Sequence, residues 1–313
     1  MNRRQLVKDA IAHKETDRVP YCIQFTRQAR EKFEKAVGCR SADGYLDNDI
    51  AQVSPPWWWW DNLGPEWKTM NLPSSLPGVK GNGSYSDFRD RLKMLRDHSD
   101  KYILVMIYGS HFEKANAARG IENFLADMAG EPAFATKLLD RIIEKNMVML
   151  DNILGCPEID GVLLGSDWGT QLDLIMSPDT WENMIRPGEQ REYDLVHGYG
   201  KDVWVHSCGN IVKAIPSLIE MGLDVLNPVQ PECMDLERLK RDFGDKLAFW
   251  GGISTQQALP YGTPVEVKAE ALRVRDLMSR QGGYILSPAQ ELQDDVPVEN
   301  ILALLEVARD GVV

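Results

Sequence analysis

The stretch Val203-Trp204-Val205-His206-Ser207-Cys208-Gly209-Asn210 decides how the rest of the chain is read. Its first three residues are the short apolar run of a buried strand, and the chain then enters a His-x-Cys-Gly turn. Side chains two apart on a strand share a face, so the turn can aim His206 and Cys208 into one pocket. Imidazole with thiolate suits a borderline-soft cation such as zinc. The same residues also fit a strand end with a hydrogen-bonded histidine and a buried structural cysteine. A metal site needs a third ligand from elsewhere in the chain.

Outward from this stretch the same rhythm repeats. Strands are expected at 19–25, 102–109, 161–165, 203–205, 225–227, 247–250 and 284–286. Helices are expected at 1–20 (a short one within it), 26–37, 113–127, 132–153, 178–199, 211–221, 235–243, 264–281 and 297–308. The helix at 178 has a clear start, because Ser177 can cap it and Pro178 takes the first helical position. Strands alternating with helices long enough for crossovers imply a parallel sheet. Six or more such units favour an α/β fold of one kind: a single (β/α)₈ TIM barrel over residues 1–313 with an N-terminal extension. No Gly-x-Gly-x-x-Gly follows a strand, which weakens a dinucleotide-binding alternative.

Residues 51–90 break the rhythm with Pro55, Pro56, Pro65, Pro73, Pro77 and four consecutive tryptophans, 57–60. This reads as an irregular aromatic insertion over the barrel mouth. A strand would send two of the indoles each way, so Trp58 and Trp60 are candidate substrate-binding residues. The competing reading is a core cluster covering one end of the barrel.

Composition narrows the function. A chain of 313 residues, 43% hydrophobic, can bury a large core. No apolar run of membrane-spanning length exists, and residues 1–10 lack the apolar centre of a signal peptide, so a cytoplasmic protein is expected. Five scattered cysteines are not a disulfide framework and fit a reducing compartment. The net charge of −12 argues against a nucleic-acid partner and disfavours a polyanionic substrate.

In a barrel, function sits where the strands end. Reading those ends in order delivers Glu113, Asp167, His206, Cys208, Gln230, Gln290 and Glu291 to one mouth. The paired glycines Gly251 and Gly252 follow another strand. They fit either a tight turn or a place where backbone N–H groups approach a ligand, which makes Gly252 a further substrate-binding candidate.

Taken together, Asp17-Arg-Val-Pro20, Asp49-Ile50, Asp61-Asn-Leu-Gly-Pro-Glu-Trp67, Arg119-Gly-Ile-Glu-Asn-Phe-Leu125, Asp167-Trp-Gly-Thr-Gln171, His206-Ser-Cys-Gly209, Asn227-Pro-Val-Gln-Pro231, Trp250-Gly-Gly-Ile253 and Pro297-Val-Glu-Asn300 span nearly the whole chain. Their series resembles the uroporphyrinogen decarboxylase superfamily. The resemblance implies a barrel with its cleft at the strand C-termini and one of two chemistries. Decarboxylases of the superfamily use no cofactor. Its zinc methyltransferases move a methyl group between a corrinoid protein and a thiol or another acceptor.

The His-x-Cys pair resembles the methyltransferase branch, where the pair and a cysteine after the last strand hold zinc. Here that last position reads Ser287-Pro-Ala-Gln-Glu291, without cysteine. The expected metal ligands are therefore His206, Cys208 and Glu291, with Gln290 beside them. Asp167 and Glu113 are the expected catalytic or orienting groups. Asp49 matches the decarboxylase aspartate. The arginine motif of that branch is only approximated by Arg27-Gln-Ala-Arg30, and the tryptophans suggest an aromatic pocket instead. The leading expectation is a zinc-assisted methyltransferase acting on a small molecule, its corrinoid carried on a partner protein because no Asp-x-His-x-x-Gly pattern is present. The alternatives are a cofactor-free lyase on a small acid or aromatic, and a non-catalytic barrel that binds a metabolite or corrinoid.

Overall fold

The computed structural model describes residues 2–60, 79–81, 83–107 and 109–310, with side chains at all of these except 59–60 and 79–81. The elements run α1 (Arg3–Ile11), α2 (Arg27–Val37), α3 (Ala42–Leu46), β1 (Ile50–Val53), β2 (Trp58–Trp60), β3 (Val79–Gly81), α4 (Tyr85–His98), β4 (Tyr102–Met106), α5 (His111–Arg119), α6 (Ile121–Gly130), α7 (Pro132–Leu154) and β5 (Gly161–Leu164). They continue with α8 (Pro178–Thr180), a π turn (Trp181–Ile185), α9 (Arg186–Gly198), β6 (Asp202–His206), α10 (Ile215–Glu220), β7 (Val225–Asn227), α11 (Leu236–Phe243), β8 (Ala248–Ile253), α12 (Ala258–Tyr261), α13 (Pro264–Met278), β9 (Tyr284–Pro288) and α14 (Val298–Arg309).

This is an α/β fold on a curled, TIM-like parallel sheet of seven strands in the order β1-β4-β5-β6-β7-β8-β9. The register sets Leu104 against Gly161, Val162 against Val203, Trp204 against Val225, and Phe249 against Tyr284. The expected first strand is extended backbone lying between the two edge strands. On one side Cys22 N–H donates to Leu286 O (3.0 Å) and Leu286 N–H donates to Pro20 O (2.9 Å). On the other, Asp49 N–H donates to Tyr21 O (3.1 Å) and Ile23 N–H donates to the Asn48 side chain (2.9 Å).

Period two in the strands separates two cores. Cys22, Ile50, Tyr102, Leu104, Leu163, Trp204, Val225, Ala248, Trp250 and Ile285 pack together inside the curl, with Val7 of α1 below them. The alternate residues, such as Val105, Val162, Val205, Leu226 and Phe249, pack outward under the helices. The inner stack is aromatic at its centre, where the Trp204 and Trp250 rings meet edge to face at 5.4 Å.

Several boundaries differ from the sequence reading. The helix expected at 113–127 is two helices, because Gly120 (φ 84°) ends α5. Residues 51–90 are less irregular than expected. They hold β1, an antiparallel pair in which Trp58 faces Gly81, and the start of α4. The motif at 61–67 and the rest of the insertion to residue 78 lie outside the described residues. Among the described residues no helix is long and apolar enough to cross a membrane.

Candidate metal centre

His206 is the last residue of β6 and stands two residues beyond Trp204, so it shares the inward face of the strand. Its tautomer follows from its neighbours. The Asn227 amide donates through Nδ2 to Trp250 O (3.1 Å), a carbonyl that can only accept, which turns Asn227 Oδ1 toward His206. That oxygen lies 2.6 Å from His206 Nδ1, so Nδ1 carries the hydrogen and donates. Nε2 is left with its lone pair facing Cys208 Sγ at 3.3 Å and Asp167 Oδ1 at 3.6 Å.

The turn after β6 is built to hold Cys208 there. Cys208 N–H donates to Asp167 Oδ1 (3.0 Å), and Gly209 N–H donates to Gln230 Oε1 (2.6 Å). Gly209 has φ 81°, and a Cβ on it would fall 2.5 Å from the Gly169 carbonyl carbon. Only glycine permits both that backbone angle and that approach. Asn210 N–H then donates to Thr170 O (2.7 Å), which joins the loops after β5 and β6.

One ligand atom from each of Asp167, His206 and Cys208 lies within 4.8 Å of the others. Burial, and then the Asp167 carboxylate, push the Cys208 thiol up to about 12. Without a cation the group is therefore a thiol at neutral pH, and its S–H can donate to the His206 lone pair. The Gln290 amide donates to the same sulfur at 2.7 Å. Nitrogen, sulfur and oxygen donors facing one point fit a zinc ion, and three protein ligands leave a position for a substrate.

Behind the cluster, Glu113 of α5 accepts from Asp167 N–H (2.7 Å). Burial raises its carboxyl to about 7, and its second oxygen is buried without a hydrogen bond. In front of the cluster is a cavity of ≈ 370 Å³ lined by Met106, Leu163, Trp250, Gln24, Asn227, Gln290 and Glu291, among others. Desolvation in that wall raises the Glu291 carboxyl, opposed by Arg30 and His206.

The structure thus brings together His206, Cys208, Asp167, Glu113, Gln230 and Gln290. It separates the other candidates. Glu291 lines the cavity and is not among the three residues whose donor atoms converge, which are Asp167, His206 and Cys208. Asp49 lies at the N-terminal end of β1, the opposite end of the sheet. There it is fully buried and ion-paired with Arg18, at 2.5 and 2.7 Å. Gly252 N–H is spent on Pro228 O (3.2 Å), and a side chain there would point at Val274 and Tyr284, not at the cavity. Trp58 is a core residue, 1% exposed, whose indole N–H donates to Asn146 of α7 (2.7 Å). The Trp60 side chain lies outside the described residues. Sequence reasoning missed Asn227 as the partner of His206, although its position at the end of β7 signals it.

Comparison with known proteins agrees with this architecture. Residues 75–311 match the uroporphyrinogen decarboxylase (URO-D) family. The chain belongs to that family. Among solved structures, a methyltransferase from Methanosarcina mazei superposes with a TM-score of 0.71 at 16% identity, covering 98% of each chain. At that identity the likeness shows a shared fold. The 3-keto-D-glucoside 4-epimerase YcjR from E. coli is far more distant, with a TM-score of 0.43, 12% identity, and 90% and 93% coverage. No curated protein matches the sequence.

Proposed function

We propose that this family member is a zinc-assisted methyltransferase, moving a methyl group between a corrinoid protein and a small molecule. The observation that carries the reading is the convergence of His206 Nε2, Cys208 Sγ and an Asp167 oxygen at the C-terminal end of a curled parallel sheet. These three residues would hold the ion. When bound, zinc supplies Lewis acidity, which activates a thiol acceptor or polarises the methyl donor.

The chain's own groups have definite tasks. Asn227 keeps Nε2 of His206 free of hydrogen and aimed at the site. Gln230 and Gly209 hold the Cys208 turn. Glu113 anchors the loop that presents Asp167. Met106, Leu163 and Trp250 offer apolar wall to a methylated substrate, and Gln24 and Gln290 offer carboxamides to orient it. The cavity falls within the small-molecule range, and Glu291, an acid, sits in its wall. A polycarboxylate such as a porphyrinogen is disfavoured by such a lining. We further read the whole chain as a single (β/α)₈ domain, with the segment before β1 in the eighth strand position.

The test is zinc titration against a competing chelator, with turnover of a methylated corrinoid protein measured in parallel. Wild type is expected to bind one zinc at the mouth, more tightly as pH rises, because the Cys208 thiol must lose its proton. Cys208→Ser is expected to weaken binding at that site at least 100-fold. Equal binding by the two proteins would remove the chemical basis of the reading and favour the cofactor-free lyase. Zinc binding without any methyl turnover would favour the non-catalytic barrel.

A further inference from the structure

A second convergence lies outside the sheet, in the helix layer, and the mouth chemistry makes no use of it. His111 opens α5. Glu189 and Glu192 stand three residues apart on α9 and so share one face of that helix. All three side chains are fully buried, and one ligand atom from each lies within 4.8 Å of the others. We propose that His111, Glu189 and Glu192 form a buried site for a divalent transition ion, one that pins α5 to α9.

The argument begins with the imidazole. His111 Nε2 lies 3.2 Å from the carbonyl of Ile185, the last residue of the π turn. A carbonyl only accepts, so Nε2 carries a hydrogen. Nδ1 then faces the carboxylates, with Glu189 Oε1 at 3.3 Å. If Nδ1 is neutral, it presents a lone pair to two acids, and either a metal cation or a carboxyl proton must lie between them.

The carboxylates are prepared unequally. Glu192 is braced: Ser110 Oγ donates to one oxygen (2.8 Å) and Asn146 Nδ2 to the other (2.8 Å). Asn146 is itself oriented by the Trp58 indole N–H (2.7 Å). Glu189 has no such support. Neither of its buried oxygens has a well-formed hydrogen bond; its polar neighbours are His111 Nδ1 and the Tyr193 hydroxyl, which faces Glu189 and has no other partner among the described residues. A buried carboxylate lacking donors is costly unless it is paired with a cation or binds a metal. Donors on one ion sit about 3 Å apart when each bond is near 2.1 Å, which the Nδ1 to Oε1 distance already approaches.

One imidazole nitrogen with carboxylate oxygens suits zinc, manganese or iron(II), and no thiolate takes part. Two carboxylates and a neutral imidazole balance a dication. The competing occupant is a proton on Nδ1. An imidazolium would donate to Glu189 or to Ser110 Oγ, 3.1 Å away. Buried Lys114, one turn along α5, would then help balance the second carboxylate.

The test uses a full-length background protein in which the mouth is disabled by Cys208→Ser and His206→Ala. It is refolded with Zn²⁺ or Mn²⁺, dialysed against chelator and analysed for metal. The expected result is about one ion per chain, released only on unfolding. Adding Glu189→Gln, nearly isosteric, should lower that content at least ten-fold. A folded background protein that keeps no ion would overturn the proposal and assign the cluster to a shared proton. So would a folded Glu189→Gln protein with unchanged metal. Should that variant fail to fold, refolding the background protein with Co²⁺ decides. Bands of cobalt in nitrogen and oxygen donors, without thiolate charge transfer, support the site, whereas the spectrum of aqueous cobalt overturns it. None of these readouts depends on methyl transfer, so the mouth reading can fail while this one stands.

Discussion

At the scale of single residues, His206 depends on Asn227. Without an acceptor at Nδ1 the imidazole is free to change tautomer and turn, and partners of this kind are worth 10- to 100-fold in metal affinity. Asn227→Ala is therefore expected to weaken zinc binding at the mouth by roughly 10- to 100-fold. Asn227→Asp keeps the acceptor and should hold affinity close to wild type, although either change takes a donor from Trp250 O. Chelator competition on the two variants checks this, and equal losses would show that Nδ1 orientation is not what Asn227 supplies. The His206 and Cys208 pair was legible because a strand has a period of two and a turn follows it. The third group converging on them was not. Successive residues of a loop face different ways, and the sequence does not say that Asp167 turns to the sulfur while Glu291 turns to the cavity wall. Gln230 was legible as a residue at the mouth, but its hydrogen bond to Gly209 N–H makes it a brace for the Cys208 turn.

At the scale of elements, the alternation of strand and helix was readable because burial on both faces leaves the strands continuously apolar. Short elements were not. The helices α3 and α12 have too few residues for a period to show, and the tryptophan run hides a strand whose buried member, Trp58, belongs to the helix layer. The end of α9 offers a pH test. His197, in its last turn, meets Asp224 at 2.9 Å, and the same carboxylate oxygen accepts Val203 N–H from β6 (2.7 Å). The hydrogen bond with Asp224 raises the imidazole above its ordinary 6.5. A raised histidine binds its proton more tightly folded than unfolded. Its contribution is then complete below pH 6.5 and fades as pH climbs through the folded value. His197 is 37% exposed and Asp224 32%, so solvent screening should keep the effect under about 1 kcal/mol. Denaturant midpoints of wild type and His197→Gln are expected to differ at about pH 5.5 and to converge by about pH 9. A gap that widens with pH would reverse the assignment.

At the scale of the whole molecule, the curled sheet has a seam. The two edge strands do not pair with each other, and the segment from Pro20 to Phe25 lies between them. Asp49 fastens one side of that seam. Its carboxylate takes two hydrogen bonds from Arg18 and a third from Tyr21 N–H (2.9 Å), with Arg3 of α1 3.9 Å away. A fully buried carboxylate so placed ties the segment, α1 and β1 together at the end of the sheet away from the mouth. The sequence reading places no strand after Asp49 and so cannot say which end of the barrel it occupies, because a motif matched by residue type carries no direction. Asp49→Asn keeps the shape and removes the charge, leaving Arg18 without its buried partner while Arg3 keeps its pair with Asp47. Breaking a fully buried pair costs about 3–5 kcal/mol, and the partial exposure of Arg18 puts this one at or below the low end of that range. The variant should therefore show a lower denaturation midpoint while its folded fraction binds zinc at the mouth with unchanged affinity. Normal stability with lost methyl turnover would instead return Asp49 to the catalytic role that its motif suggests, and would require the working end of the sheet to be the other one.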